Sequence, residues 1–230
     1  MLLADIGMLL FPHHCTVCGA KLQKSEKSLC TPCLRRLPKT HFSPTGLNPM
    51  MQRFVAYPAV RHATAYFFYT HGNAYTRLIT EAKYNDHPAV GRYLARMAAG
   101  ELESTGFFDG IDVILPVPLS VRRKRHRGYN QSEWISRGIA DVTGTPLDTQ
   151  SLIRHTHNRT QTTMHRDERW QNVQGIFSVR HPARLAGKAV LLVDDVVTTG
   201  ATLTSCVETL SHAVPDIHLS LFTLACTREE

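Results

Sequence analysis

The fold is decided by the stretch Val190-Leu191-Leu192-Val193-Asp194-Asp195-Val196-Val197-Thr198-Thr199-Gly200-Ala201-Thr202, in which an apolar run ends in two carboxylates and a loop of small residues. A continuous Val/Leu run is typical of a parallel strand that is covered on both faces. After the loop, Leu203, Val207 and Leu210 recur at helical spacing and predict a helix that begins near Gly200. The sequence therefore predicts an α/β protein with a parallel sheet flanked by helices.

The loop between this strand and this helix has the chemistry of an anion site. Backbone N–H groups at a helix N-terminus point away from the helix without partners, and the helix dipole there favours negative charge. Asp194 and Asp195 repel a phosphate, so they suit hydroxyl groups or a hydrated Mg²⁺ instead. A phosphate together with a vicinal diol describes a ribose 5-phosphate, although an ordinary strand-end loop with a helix cap remains the alternative.

The same stretch resembles the motif with which type I phosphoribosyltransferases bind phosphoribosyl pyrophosphate (PRPP): four apolar residues, two acids and a Thr/Gly-rich turn. The resemblance implies that Asp194 and Asp195 contact the ribose hydroxyls and act in catalysis. It also implies that the 5′-phosphate is bound by the residues of the turn, which are Thr198, Thr199, Gly200, Ala201 and Thr202.

Composition sets bounds on the protein without naming its ligand. The 230 residues have room for one α/β domain and a small appendage. A formal net charge of +7 favours anionic partners, but a phosphorylated sugar and a nucleic acid both satisfy it. The apolar start, Met1-Leu-Leu-Ala-Asp5, is interrupted too early to span a bilayer or to serve as a secretory signal. We expect no membrane insertion and a cytoplasmic location.

Two C-x-x-C pairs near the N-terminus, Cys15/Cys18 and Cys30/Cys33, predict a structural Cys₄ zinc ribbon. Two disulfides or a redox C-x-x-C are the alternatives; a reducing cytosol and the lack of a thioredoxin-like pattern disfavour them. Residues 34–58 contain several prolines and no periodicity, as in an irregular connector. The predicted division is therefore residues 1–58 for the zinc ribbon and connector, and residues 59–230 for the core domain.

A second buried strand, residues 111–115, stops at a proline-rich segment, and ligands bind at such strand ends in α/β sheets. This segment is a candidate cradle for a second phosphate group, with a plain turn equally open; it comprises Pro116, Val117, Pro118 and Leu119. Five cations follow within six positions, which favours a nearby anion over a solvated loop. They are Arg122, Arg123, Lys124, Arg125 and Arg127. Residues 154–172 lack apolar periodicity and predict a lid over the site.

Further motifs resemble the ComF family of competence-associated, phosphoribosyltransferase-like proteins: Arg125-His-Arg-Gly-Tyr-Asn-Gln131, Arg154 with Thr160-Gln161, and the N-terminal cysteines. The resemblance implies PRPP as ligand and a role in DNA uptake during natural transformation. As an enzyme, the protein would displace pyrophosphate with Mg²⁺, using the Pro116–Leu119 segment, Arg125 and Arg127 on the pyrophosphate. The alternative is a PRPP-sensing module that binds single-stranded DNA or a DNA-processing partner.

Overall fold

The computed structural model describes residues 13–84, 87–155 and 176–228. The strands, in chain order, are β1 (Val60–Tyr69), β2 (Val113–Pro116), β3 (Leu152–Arg154), β4 (Phe177–Val179), β5 (Ala189–Val197) and β6 (His218–Thr227). The α-helices are α1 (Thr31–Arg35), α2 (Pro49–Gln52), α3 (Thr76–Tyr84), α4 (Pro88–Leu102), α5 (Val121–Arg127), α6 (Gln131–Thr143) and α7 (Ala201–Ala213).

The centre of the fold is a four-stranded sheet in the order β1-β6-β5-β2, and all three strand pairings in it are parallel. The carboxyl ends of the four strands therefore lie at one edge, where α/β sheets bind ligands. This confirms the α/β architecture with a parallel sheet flanked by helices. The apolar run predicted to be a central strand is β5, which lies between β6 and β2.

Both faces of the sheet are covered, as the continuous apolar sequence of β5 predicts. Leu191 and Val193 pack in a buried cluster with α3, α4 and α6, while Val190 and Leu192 pack in a second cluster with α7. Successive side chains of a strand point to opposite faces, and because helices cover both faces, all four side chains are fully buried. Each stabilises the fold by about 1.5–3 kcal/mol through burial of apolar surface.

Helices α4 and α6 approach closely at Gly138. A Cβ atom at this position would lie 2.4 Å from the carbonyl oxygen of Arg92 and 2.8 Å from Cβ of Ala95. No side chain fits there without moving the backbone of α4, so glycine is required for the close packing of the two helices. This contact packs the middle of α6 against α4, while Ser132 at the start of α6 bonds to Asp194 at the end of β5.

The segment that precedes β1 is part of the core, although it lacks regular periodicity. Met50 and Phe54 are almost fully buried in the cluster that contains α7, and Asn48 donates from Nδ2 to the Ala63 carbonyl at 2.8 Å. Backbone hydrogen bonds also pair this segment with the outer edge of β1, from Thr40 N to Tyr66 O at 3.0 Å and from Phe68 N to Pro38 O at 2.8 Å. The division at residue 58 stays a prediction, and close packing crosses it.

Strands β3 and β4 form a separate antiparallel pair. Leu152 and Phe177 are buried against the cluster that contains α7, so the pair stands on the same side of the sheet as that helix. The predicted lid falls almost entirely on residues 156–175, which lie outside the described residues. Among the helices of the described residues, none has the length and apolar character that a membrane crossing requires.

Candidate functional site

The acid pair lies at the carboxyl end of β5 and is held in place by hydrogen bonds and an ion pair. Asp194 and Asp195 are only 8% and 4% exposed. The Ser132 hydroxyl, at the start of α6, donates to Asp194 Oδ1 at 2.9 Å, and the backbone N–H of Asp195 donates to the same oxygen at 2.9 Å. Lys83 Nζ lies 3.1 Å from Asp195 Oδ2. Two elements distant in sequence, α3 and α6, thus orient two adjacent carboxylates.

The environment of the pair makes it costly to keep both carboxylates charged. Burial, followed by the charge of Asp195, raises the pKa of Asp194, while the Asp195 N–H, the Ser132 hydroxyl and Lys83 act in the opposite direction. A ligand that offers hydroxyl donors or a cation to the pair would relieve this repulsion. The pair therefore has the electrostatic character of a binding site rather than of a stabilising core element.

The loop after β5 leads directly into the 13-residue helix α7. Gly200 has a positive φ of 84°, a left-handed conformation that other residues rarely adopt, and it occupies the N-cap position. Glycine offers no capping side chain, and the Thr199 hydroxyl accepts only a long hydrogen bond, 3.4 Å, from the Ala201 N–H. A small cavity here is lined by Asp194 and by the residues of the turn, Thr198, Thr199, Gly200, Ala201 and Thr202. The predicted anion loop and the acid pair are thus adjacent.

A larger cavity, of about 170 Å³, lies between the ends of β5 and β2. The proline-rich segment forms one wall: Pro116 ends β2, and Val117, Pro118 and Leu119 line the cavity. Its position is fixed by Asn130, whose Nδ2 donates to the Val117 carbonyl at 3.1 Å while its Oδ1 accepts from Ser132 N. Asn130 thus links this wall of the cavity to Ser132, the residue that orients Asp194.

The cationic run forms helix α5, where sequence analysis predicts no helix. The Ser120 hydroxyl accepts from Arg123 N at 3.3 Å and caps its start, and Gly128 ends it with φ of 77°. Arg123 and Arg127, one turn apart, line the cavity. Arg125 is exposed and is not among the residues that line it, so its role on the pyrophosphate stays a prediction.

Several residues that line the cavity either are not predicted from the sequence or are predicted to have other roles. From the sequence, Lys83 at the end of a predicted helix indicates a solvated cation or, less strongly, a phosphate contact; in the structure it is paired with Asp195. Arg154, predicted to begin the lid, lines the cavity at the end of β3, with its guanidinium 5.2 Å from the centre of the Phe177 ring. Its Nε is buried without a hydrogen-bond partner in the described structure, and burial lowers the pKa of this side chain. An anion in the cavity would satisfy this donor.

A profile of the phosphoribosyl transferase domain matches residues 91–223, which is more than half of the chain. The chain belongs to this phosphoribosyltransferase family. The match includes α5, α6, β5 and the loop that leads into α7, and thus most of the elements that form the cavity.

This chain is similar over more than half of its length to two proteins of known name. DNA utilization protein YhgH of Salmonella typhimurium is 28% identical over 223 residues, covering 88% of this chain and 92% of the relative. Competence protein F of Haemophilus influenzae is 32% identical over 130 residues, covering 55% and 57%. Together with the domain match, these relatives confirm the predicted resemblance to the ComF family.

Among solved structures, a glutamine PRPP amidotransferase from B. subtilis is similar to this phosphoribosyltransferase domain. It is 24% identical, with a TM-score of 0.43. The similarity covers 62% of this chain and 30% of the amidotransferase.

The N-terminal cysteines of this phosphoribosyltransferase domain protein form a compact cluster. Ligand atoms of Cys15, Cys18, Cys30 and Cys33 all lie within 4.8 Å of one another, an arrangement that could hold a metal ion. The Sγ atoms of Cys18 and Cys30 are 3.7 Å apart, well beyond disulfide bonding distance, and all four are free cysteines. Burial opposes ionisation of Cys15, but the backbone N–H groups of Cys18, Cys30 and Val17 outweigh it and lower its pKa to about 7. A thiolate is the form that binds metal.

Proposed function

We propose that the protein binds PRPP at the carboxyl ends of β5 and β2. The observation that carries the proposal is the buried pair Asp194/Asp195 directly beside the N-terminus of α7. The carboxylates are acceptors for the two ribose hydroxyls, and the N–H groups of the turn at residues 198–202 are donors for the 5′-phosphate.

The pyrophosphate of PRPP fits the larger cavity on grounds of charge. Lys83, Arg123, Arg127 and Arg154 contribute four positive charges to its lining, against two negative charges from the acid pair. Val117, Pro118 and Leu119 line the same cavity, which supports a role of the proline-rich segment on the pyrophosphate. Guanidinium groups bind phosphate oxygens in pairs and remain charged at any physiological pH.

The chemistry that this arrangement supports is displacement of pyrophosphate from PRPP. The bond from ribose C1 to the pyrophosphate oxygen breaks, the pyrophosphate keeps the electron pair, and an acceptor nucleophile bonds to C1. The acid pair stabilises the positive charge that develops on the ribose, and the cations stabilise the departing pyrophosphate. The pair offers oxygen donors of the type that Mg²⁺ prefers, and a bound Mg²⁺ would supply further charge neutralisation on the pyrophosphate.

Titration calorimetry with Mg²⁺ and PRPP tests this proposal. The double variant Asp194→Asn/Asp195→Asn keeps the shape of the site but replaces charged acceptors with neutral ones, so PRPP should bind at least tenfold more weakly. Asp141→Asn, at an exposed ion pair with Arg92, is the matched control and should bind normally. A folded double variant that binds PRPP with unchanged affinity contradicts the proposal.

We also propose that the four clustered cysteines hold one structural Zn²⁺, since four thiolates complete a tetrahedral shell. Elemental analysis of the purified, reduced protein should find one zinc per chain. Cys15→Ser/Cys33→Ser should lose it, and Cys206→Ala, which changes a buried cysteine of α7, should retain it. Absence of zinc from the unmodified protein would refute the assignment.

A second function is favoured by the outer face of α5, where Arg122, Lys124 and Arg125 are exposed and do not line the cavity. The relatives named DNA utilization protein YhgH and Competence protein F suggest a role in DNA uptake. We infer that this face binds single-stranded DNA, whose phosphates would neutralise the surplus cations. The salt dependence of DNA binding by matched α5 variants, described in the Discussion, tests this function.

A further inference from the structure

A third cavity, of about 220 Å³, opens at the same edge of the sheet over β1 and β6. Phe68 of β1 pairs with Cys226 of β6, and Cys226 pairs with Val197 of β5. The cavity therefore lies level with the residue that precedes Thr198, on the side of β5 opposite the acid-pair cavity. The two cavities share no lining residue, and PRPP binding as proposed does not use this one.

The walls of this pocket suit a flat ring. The rings of Phe42 and Phe68 are nearly perpendicular, at 86°, with their centres 5.7 Å apart. The two rings already contact each other edge to face, and a planar ligand would add a third ring to this pair in one of the favoured aromatic geometries. Met50, buried at 2% exposure, also lines the pocket and supplies a polarizable thioether.

The charge of the pocket selects among flat rings. Arg53 donates from Nη1 to the Thr198 carbonyl, and the Arg228 guanidinium lies 4.6 Å from the centre of the Phe68 ring. Of the eight described residues that line the pocket, these two are positively charged and none is negatively charged. A ring with an anionic substituent gains from this field, and a cationic ring is repelled.

We propose that this pocket binds a planar aromatic ring that carries a carboxylate. The ring packs against Phe42 and Phe68, and the carboxylate faces Arg228 and Arg53. Since Arg53 and Thr227 both bond to the Thr198 carbonyl, the occupant contacts residues that hold the first position of the turn before α7. The pocket is thus a ligand site adjacent to the PRPP site and distinct from it.

Three probes of similar size and different charge test the proposal: benzoate, benzamide and benzylamine, titrated into the full chain without PRPP and followed by ligand-observed NMR. Benzoate should bind with a dissociation constant on the order of 1 mM, as expected for a ligand with few heavy atoms. Benzamide should bind about fivefold more weakly, because it lacks the charge that faces the arginines. Benzylamine should show no saturable binding.

Two variants assign the binding to the pocket. Arg228→Met keeps the length of the side chain and should reduce the preference for benzoate over benzamide, to which Arg53 still contributes. Phe42→Leu keeps apolar bulk, removes one ring and should weaken both by about fivefold. Arg180→Met, at an exposed arginine beyond the end of β4, is the matched control and should leave both affinities unchanged.

Equal binding of benzylamine and benzoate overturns the proposal, as does unchanged benzoate affinity in both Arg228→Met and Phe42→Leu. Absence of saturable benzoate binding by the unmodified chain at tens of millimolar overturns it as well. Because these titrations contain no PRPP, a failure of the PRPP proposal leaves their outcome unaffected. Arg228→Met should bind PRPP with normal affinity, which would show that a change in the aromatic pocket leaves the PRPP site intact.

Discussion

The end of β5 and helix α5 border the same cavity but hold their charges in opposite ways. Asp194 and Asp195 are buried, and each has a specific partner, Ser132 or Lys83. Most cations of α5 are exposed to solvent and stand close to like charges. A buried charge depends strongly on its few partners, whereas an exposed charge is screened by water and salt. A single substitution at the end of β5 should therefore change the stability of the fold strongly. A single substitution on α5 should change ligand binding only slightly, and several together should have a larger effect.

The largest effect is expected when the buried ion pair is broken. Lys83→Met leaves Asp195 beside Asp194 without its cation, and we expect it to lower the free energy of unfolding by about 3 kcal/mol. The control Arg92→Met breaks the exposed pair with Asp141 and should cost less than about 1 kcal/mol. Urea unfolding at pH 7 measures both values. Equal losses in the two variants would contradict the contrast between buried and exposed charge.

An effect of opposite sign is expected at Asp194. Its pKa is raised to about 7 by burial and by the charge of Asp195, so the folded state binds a proton more tightly than the unfolded state. Asp194 therefore reduces stability progressively as the pH rises from about 4 to about 7. Asp194→Asn should stabilise the fold by about 1–3 kcal/mol at pH 8, with a smaller gain at pH 5. Urea midpoints at the two pH values check this, and a gain that is greater at pH 5 would disprove it.

The smallest effects per residue are expected on α5, where two matched double variants separate the inner and outer faces. Arg123→Ala/Arg127→Ala should weaken PRPP binding at least tenfold and retain most DNA binding. Arg122→Ala/Arg125→Ala should bind PRPP normally and reduce the slope of log affinity against log salt for single-stranded DNA by about 1.4, or about 0.7 for each DNA phosphate that is no longer neutralised. Calorimetry and fluorescence anisotropy over a salt series measure the two quantities.

The reverse pattern would change the assignment of the faces. Loss of PRPP binding in Arg122→Ala/Arg125→Ala, with an unchanged DNA salt slope, would return Arg125 to the position that sequence analysis predicts for it. It would also remove the basis for a separate DNA-binding face.

The central strand and the helix after it could be predicted because their signal is local. An uninterrupted apolar run, two acids and a glycine turn lie within thirteen consecutive residues, and each has one dominant conformational meaning. The spacing of the four cysteines is informative for the same reason. The cluster found in the structure needs only short turns, such as the one at Gly19 with φ of 74°.

The remaining parts of the site depend on contacts between segments far apart in the chain. Lys83 and Asp195 are more than a hundred residues apart, and nothing near Lys83 in the sequence indicates a carboxylate partner. Helix α5 escapes prediction because charge repulsion disfavours it locally, although Ser120 and Gly128 are recognisable as its two caps. Phe54 escapes prediction as a core residue because the segment around it lacks periodicity.

The hydrogen bonds between residues 38–40 and β1 have a consequence for truncated fragments of the protein. β1 is a ten-residue edge strand, and Thr40 and Pro38 occupy backbone groups on its outer side. A fragment that begins at residue 59 would present those groups, together with the apolar surface that Phe54 and Met50 cover, to other molecules. Unprotected edges of this kind template strand pairing between chains. Such a fragment should therefore aggregate through β1, and the segment before β1 protects the sheet against self-association.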